Sequence, residues 1–342
     1  MRRVKAREGD FIETSEGLIF DVKGLVHPPD RTVAYLRYLK DPAGDRRRDG
    51  EAYVKVYSLS ERDEIIRSRY PKYLFCDRVF GECLEGVPHE FVSRLYQPPK
   101  KVSDLINRQH LDQVETQALS FVQLLSHSSG VPLGKIGLSG SVLVGLHKAD
   151  SDIDVIVYGR RNCLSVHESL RRLMQNGESS VSAYGIEDLS RLYDFRSKDT
   201  WMPLEDFVRI ERRKVSQGKF MGRDFFMRFL LDWDEVDERY GDRIYAPSGY
   251  AKVRAKVEDA SASLFTPCRY VISQVEVLEG TNVSSIGEIA SFRGRFCEQA
   301  EKGEHVVAQG KVEKVTEKDG TEHFRLILGA KPTDFMTSNP NN

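Results

Sequence analysis

Long apolar runs, patterned cysteines and an excess of one charge are all missing from this chain. No stretch is apolar for long enough to cross a bilayer. The basic opening Met1-Arg2-Arg3-Val4-Lys5-Ala6-Arg7 is not followed by an apolar signal region. The expectation is therefore a cytoplasmic protein with no membrane partner. The five cysteines, Cys76, Cys83, Cys163, Cys268 and Cys297, are scattered, odd in number and never spaced Cys-x-x-Cys. That argues against a zinc ribbon and against a disulfide framework, and for reduced, mostly buried thiols. Net charge is -1, so no global basic field points to nucleic acid, and any such surface must be a local patch. No internal repeat or low-complexity tract stands out.

What is present is an ordinary globular composition, 40% hydrophobic and 30% charged, in 342 residues. That length suits two or three domains. Residues 11–57 look β-rich: 17–27 and 33–39 partly alternate, 41–50 reads as a polar loop, and 52–57 resumes strand character. Residues 59–70 look helical. Gln97-Pro98-Pro99-Lys100-Lys101 reads as a linker, because consecutive prolines block helix and sheet alike. Helical spacing follows over 104–126, then a strand near 135–140, a helix over 162–174, another over 203–215 and an aromatic strand over 224–230. The acidic segment 231–238 marks a boundary. Beyond it 251–257, 269–278, 306–315 and 322–328 read as strands, with 289–296 as a fifth. The expected organisation is a β-rich domain over 1–97, an α/β mixed-sheet domain over 101–232, a β-rich domain over 240–332 and a frayed tail over 333–342. Short strands with glycine turns suggest a small barrel, OB-like, or a sandwich for the third part.

One segment carries chemistry. Leu138-Ser-Gly-Ser-Val-Leu-Val-Gly-Leu-His-Lys-Ala-Asp-Ser-Asp-Ile-Asp-Val-Ile-Val-Tyr158 reads as strand, Gly-Ser turn, short helix, turn and second strand. Asp152 and Asp154, at i and i+2, point to one face of that strand. Such a pair repels itself unless a cation sits between its members, and hard divalent ions such as Mg²⁺ prefer an oxygen cage. The Gly140-Ser141 turn feeding a helix offers backbone N–H groups to an anion. Together the two devices suggest metal-held nucleotide phosphates.

Gly140-Ser141, ten intervening residues and Asp152-Ile-Asp154, with apolar residues around the acidic pair, resemble the signature of the DNA polymerase beta nucleotidyltransferase superfamily. The whole chain also looks like a group of archaeal predicted nucleotidyltransferases in which such a domain sits between two β-rich ones. The resemblance implies transfer of a nucleoside monophosphate from an NTP to an acceptor hydroxyl, with release of pyrophosphate. It implies two Mg²⁺ ions held by Asp152, Asp154 and a third carboxylate from a neighbouring strand, and phosphates gripped around Gly140 and Ser141. Asp224, which opens the aromatic strand, is the chosen third ligand. Asp232 and Glu187 compete with it. Alternation places Asp224, Phe226 and Arg228 on one face, which makes Arg228 a candidate phosphate contact. The expected acceptor is RNA, with a protein or small-molecule hydroxyl as the enzymatic alternative. A silent nucleotide- or RNA-binding protein is the rival from another class.

Other features support two readings each. Ser141 can be a plain helix cap, and Asp150, His147 and Lys148 can be polar turn residues. Arg209, Arg212, Arg213, Lys214, Lys219, Arg223 and Arg228 make the densest basic run, which suits phosphate binding or a charge-laced helix paired with Glu205, Asp206 and Glu211. Arg293 and Arg295 beside Phe292 and Phe296 suit single-stranded nucleic acid or a core flanked by exposed arginines.

Overall fold

The first sheet grows from a ten-residue strand, Arg31–Lys40, in which apolar residues dominate the buried positions. In this computed structural model, residues 4–198, 202–283 and 285–339 are described. The chain divides into two compact units. One comprises Met1–Asp77, Cys83–Ser182 and Gly218–Tyr240; the other comprises Arg78–Glu82, Ala183–Gln217 and Gly241–Asn342. The fold is mixed α/β, with several sheets and seven α-helices among the described residues.

In the first unit, strands β1 (Phe11–Thr14), β2 (Ile19–Val22), β3 (Arg31–Lys40), β4 (Arg46–Arg48) and β5 (Glu51–Lys55) precede helix α1 (Leu59–Arg69). Strands β6 (Leu74–Asp77), β7 (Glu82–Pro88) and β8 (Val92–Tyr96) follow. The sheet runs β4-β5-β3-β2-β1-β8, with β7 pairing both β3 and β6. Strand β4 lies inside the stretch expected to be a loop. A disulfide joins Cys76 on β6 to Cys83 on β7, which corrects the expectation of reduced thiols throughout. A spacing search for Cys-x-x-Cys misses this pair because the β6–β7 hairpin, not sequence proximity, brings the two together. Cys163, Cys268 and Cys297 are free and buried, as expected.

The second layer of this unit begins with α2 (Pro98–Ile106) and α3 (Gln113–Ser129). The expected linker is thus the first turn of a helix. Proline is tolerated there because the first N–H groups of a helix have no intrahelical partner. The single helix expected over 104–126 is two, because Asp112 caps a new start by accepting from the Glu115 N–H at 2.9 Å. Helix α3 ends at Gly130, in the left-handed conformation with φ 71°. Then come β9 (Ile136–Leu138), α4 (Gly140–Val144), β10 (Ile153–Tyr158), α5 (Arg160–Gln175), β11 (Val181–Ser182), β12 (Gln217–Phe220) and β13 (Arg223–Leu230). The strand order is β11-β12-β13-β10-β9. Strand β10 is parallel to β13 and antiparallel to β9. On β13, Phe225, Met227 and Phe229 are buried while Asp224, Phe226 and Arg228 share the other face, as alternation predicts. Phe121 of α3 packs on Phe220 and Phe225, with ring centroids 4.8 and 4.7 Å away.

The two layers share a core. Phe11, Ile19, Tyr38, Tyr53 and Tyr96 of the N-terminal sheet enclose Leu143, Val144 and Leu146 from α4 and its exit. Helix α4 is short, and its last carbonyls need donors. Arg46 donates to the Leu146 carbonyl at 2.6 Å and Arg48 to that of Val144 at 3.2 Å. Arg48 is itself held by Glu13 at 2.6 Å.

The second unit holds α6 (Ile186–Arg196), which the sequence reading did not anticipate, and α7 (Leu204–Glu211). Its sheet contains β14 (Arg243–Asp259), β15 (Cys268–Gly280), β16 (Ile286–Ser291), β17 (His305–Glu317), β18 (Glu322–Leu328) and β19 (Phe335–Asn339). Pairings run β14-β15-β16-β18-β17 and return from β17 to β14, with β16 parallel to β18. Strand β19 pairs with β17, placing Ser338 opposite Val306. The chain end expected to fray is therefore ordered through 339, while residues 340–342 of the expected tail lie outside the described residues.

Leu146 has no solvent exposure and sits where the two layers of the first unit meet. Leu146→Ala is expected to cost about 2–5 kcal/mol of unfolding free energy, read by chemical denaturation. A change below about 0.5 kcal/mol would show that α4 is not held by this core.

Candidate active site

The site is built where β9 and β10 run antiparallel. The Ser139 N–H donates to the Asp154 carbonyl at 2.8 Å, which holds the turn after β9 against the start of β10. Gly140 then comes so close that a Cβ placed on it would lie 1.9 Å from Asp154 Oδ2. Its φ is +60°, a conformation that side chains rarely adopt. Glycine is required at 140 on both counts. Asp154 is the second residue of β10, and Asp152 stands just before the strand, exposed.

Asp154 opens into a cleft. The layer of β9, β10 and β13 lines it with Ser139, Gly140, Asp154, Phe226 and Arg228; the N-terminal sheet contributes Phe11, Asp21, Arg37, Tyr38 and Lys55. Burial first, and the neighbouring Asp152 charge second, push the Asp154 carboxyl up to about 7, against the pull of Lys55, Arg228 and Arg37. Burial, and then Arg37, draw the Lys55 ammonium below its ordinary value, opposed by Tyr57, Asp152 and Asp154. Burial alone would raise Asp21, but Lys23, Arg228 and Arg37 outweigh it and hold its carboxyl low.

Asp152 is delivered by a braced loop. Arg223 donates to the carbonyls of Ala149 at 2.8 Å and Ser151 at 2.7 Å, and to Gln117 Oε1 at 2.6 Å. Asp224 and Asp152 each stand one residue before the first paired rung, Ile153 opposite Phe225. Asp224 is exposed and paired with Lys219 at 2.7 Å. Directly opposite Asp154 on β13 is Phe226. Asp232 lies six positions beyond Phe226, roughly 20 Å at the usual strand rise, and is bound to Arg7 and Lys135. Glu187 lies in the first turn of α6, in the other compact unit. Arg228 lines the cleft but also reaches the fully buried Glu8 at 2.8 Å. Ser141 is buried within α4, while Ser139 donates to the Gly9 carbonyl at 2.7 Å.

Much of the remaining polar sequence is committed to structure. His147 meets Asp112 at 2.7 Å and Lys148 meets Asp45 at 3.0 Å, and Asp150 is exposed in the turn. In the second unit, Arg209 pairs with Asp206, Arg213 with Glu304, and the buried Lys214 with Glu211. The basic run there is laced with ion pairs. Phe296 is core, and Phe292 is exposed. Asp112, Glu115 and His147 place three ligand-type atoms within 4.8 Å of one another. Glu115, however, already binds Lys101 at 3.1 Å and Arg108 at 2.8 Å, so the trio works as a helix start. The sequence reading missed the N-terminal sheet's share of the cleft. Its signal was faint: basic residues, Arg37 and Lys55, interrupting two otherwise apolar strands.

Comparison with known proteins agrees with this geometry. Residues 120–214 match the family described as "Nucleotidyltransferase domain". The chain is 30% identical over 341 residues to "Uncharacterized protein MJ1086" of Methanocaldococcus jannaschii, covering 97% of this chain and 98% of the relative. No solved structure matches.

Gly140→Ala is expected to displace the Asp154 side chain and reduce any activity of the site to background, with a loss of stability seen as a lower Tm. Retention of wild-type activity and Tm would mean that the close approach of Gly140 to Asp154 is not required.

Proposed function

Because this chain belongs to the DNA polymerase beta superfamily of nucleotidyltransferases, in one family with that archaeal relative, we propose that it moves a nucleoside monophosphate from an NTP to a hydroxyl of RNA, with release of pyrophosphate. One observation carries this reading: Asp154 is wedged against the Gly140 backbone, beside a second carboxylate, at a cleft also lined by Arg37, Lys55 and Arg228.

The donor set fits a divalent cation. Two carboxylates whose charges oppose each other, one of them half-buried, are hard oxygen ligands that gain from a positive ion. Asp152 and Asp154 would hold Mg²⁺, with Asp224 as the third ligand once Lys219 releases it, and two ions are expected. When bound, the ions supply neutralisation of phosphate charge and a more acidic acceptor hydroxyl. The residues themselves do the positioning. Gly140 would keep the phosphate side of the cleft free of side chains, and Ser141 with the amides around Gly140 would grip the phosphates there. Arg223 fixes the loop bearing Asp152. Arg228, oriented by Glu8, adds positive charge. Most of the rate gain then comes from alignment and electrostatics rather than covalent chemistry.

The choice of RNA draws on the second unit. Its pairing order, first-second-third-fifth-fourth and back to the first, with third and fifth parallel, supports reading it as an OB-like barrel, a fold that binds oligonucleotides in many proteins. That support is by analogy of fold.

Incubation with each α-labelled NTP, Mg²⁺ and total cellular RNA or protein is expected to label RNA. Label in the protein fraction would change the acceptor, and no label anywhere would contradict the transferase reading. Asp152→Asn with Asp154→Asn is expected to abolish labelling without unfolding the chain. Asp224→Ala should lower it roughly a hundredfold, and a near-wild-type rate would move the third ligand elsewhere.

Protons compete with the cation for Asp154. Its carboxyl is raised to about 7 in the metal-free state, so Mg²⁺ affinity should fall as pH drops below 7, by at most about tenfold per pH unit. Calorimetric titration at pH 6 and pH 8 checks this, and equal affinities would dissociate Asp154 from the cation site.

A further inference from the structure

We propose that the N-terminal sheet completes the active site, with Lys55 and Arg37 as the ligands of the nucleotide's triphosphate. This rests on the nucleotidyl-transfer reading and deepens it, since it assigns the polyphosphate grip to a part of the chain outside the matched nucleotidyltransferase segment, residues 120–214.

Strands β3 and β5 are neighbours, with Tyr38 opposite Lys55 and the Val56 N–H donating to the Arg37 carbonyl at 3.0 Å. Arg37 is fixed by donating Nη1 to the Val56 carbonyl at 3.1 Å. Its guanidinium carbon lies 5.4 Å from the centroid of the Tyr57 ring, and the Lys55 ammonium lies 4.7 Å from the same centroid. One aromatic ring thus gathers two cations, and both line the cleft that holds Gly140 and Asp154.

Their neighbours show why this pairing stands out. Within the same sheet Lys23 binds Asp21 and Glu8, Lys40 binds Glu51, Arg48 binds Glu13, and Arg46 caps α4. Arg62 binds Glu85. Arg37 and Lys55 have no salt bridge among the described residues. Two half-buried like charges kept together without a salt-bridged acid, with Asp21 and Asp154 acting on them only through the cleft, are costly unless a polyanion joins them. The lowered ammonium of Lys55, caused by burial and by Arg37, is the cost expressed as a proton equilibrium. Asp152 and Asp154 lie within electrostatic reach of Lys55. A metal-bound triphosphate would therefore place its phosphates between the acids' cation and these two bases. Contiguous phosphates suit two bases gathered on one ring better than the widely spaced monoanions of a nucleic-acid backbone do.

The test is calorimetric titration with inorganic tripolyphosphate and Mg²⁺, run beside NTP labelling. Lys55→Met keeps the stem over Tyr57, and Arg37→Gln keeps a donor for Val56. Circular dichroism and Tm verify folding, and Lys55→Arg provides a charge-preserving control that decides the matter if either neutral variant fails to fold. Each neutral variant is expected to weaken tripolyphosphate binding about tenfold or more, with Lys55→Arg within about threefold of wild type. Unchanged affinity in folded variants of a protein that still labels its acceptor would overturn this proposal alone. A loss confined to a single-stranded RNA oligonucleotide would also overturn it. Wild-type protein with no affinity for tripolyphosphate would sink it as well. Weakened binding in variants of a protein that labels nothing would leave this proposal standing and remove the transferase reading.

Discussion

A carboxylate pressed against a bare stretch of backbone organises this protein. Asp154 occupies the space that a side chain at 140 would need, and burial, with the nearby charge of Asp152, leaves Asp154 reluctant to ionise. A half-buried acid in that state is unfavourable for the fold alone. Its environment makes sense as preparation for a positive ion, and the glycine makes sense as the clearance a phosphate requires. The antiparallel join of β9 to β10 and the bracing of the 149–151 loop by Arg223 both serve to keep these acids in register.

The N-terminal sheet belongs to the same physical problem. Helix α4 has only five residues, too few to be stable by itself. Tyrosines and Phe11 from the sheet bury its apolar side, and Arg46 and Arg48 satisfy its terminal carbonyls. The same sheet presents Asp21, Arg37, Tyr38 and Lys55 to the cleft. Support of α4 and completion of the cleft are thus two consequences of one docking surface.

How much of this could be read in advance depended on the range of the interactions. The acidic pair, Gly140 and the alternation on β13 are local, and period-two patterning with a turn glycine made them legible. Strands β14 to β18 of the second unit were legible for the same reason, whereas β19 fell in the stretch expected to fray. What escaped were pairings between distant residues and breaks set by caps. Cys76 and Cys83 meet only because β6 and β7 form a hairpin. The apolar periodicity over 104–126 continues through a break that Asp112 and its capping bond create. Pro98 and Pro99 read as a linker, although a helix start accepts them. The basic run at 209–214 suited a phosphate patch or a charge-laced helix; Asp206 and Glu211, close in sequence, pair with Arg209 and Lys214, whereas the acid of Arg213, Glu304, lies far along the chain. Arg37 and Lys55 reach Asp154 across about a hundred residues of sequence, beyond any motif.

The most direct measurement is anomalous diffraction from crystals grown with Mn²⁺ and a non-hydrolysable NTP. The account predicts manganese peaks at the carboxylates of Asp152 and Asp154, with the triphosphate running from Gly140 toward Lys55 and Arg37. Manganese bound elsewhere, such as at Asp112 and His147, with the Asp154 cleft free of nucleotide, would contradict it.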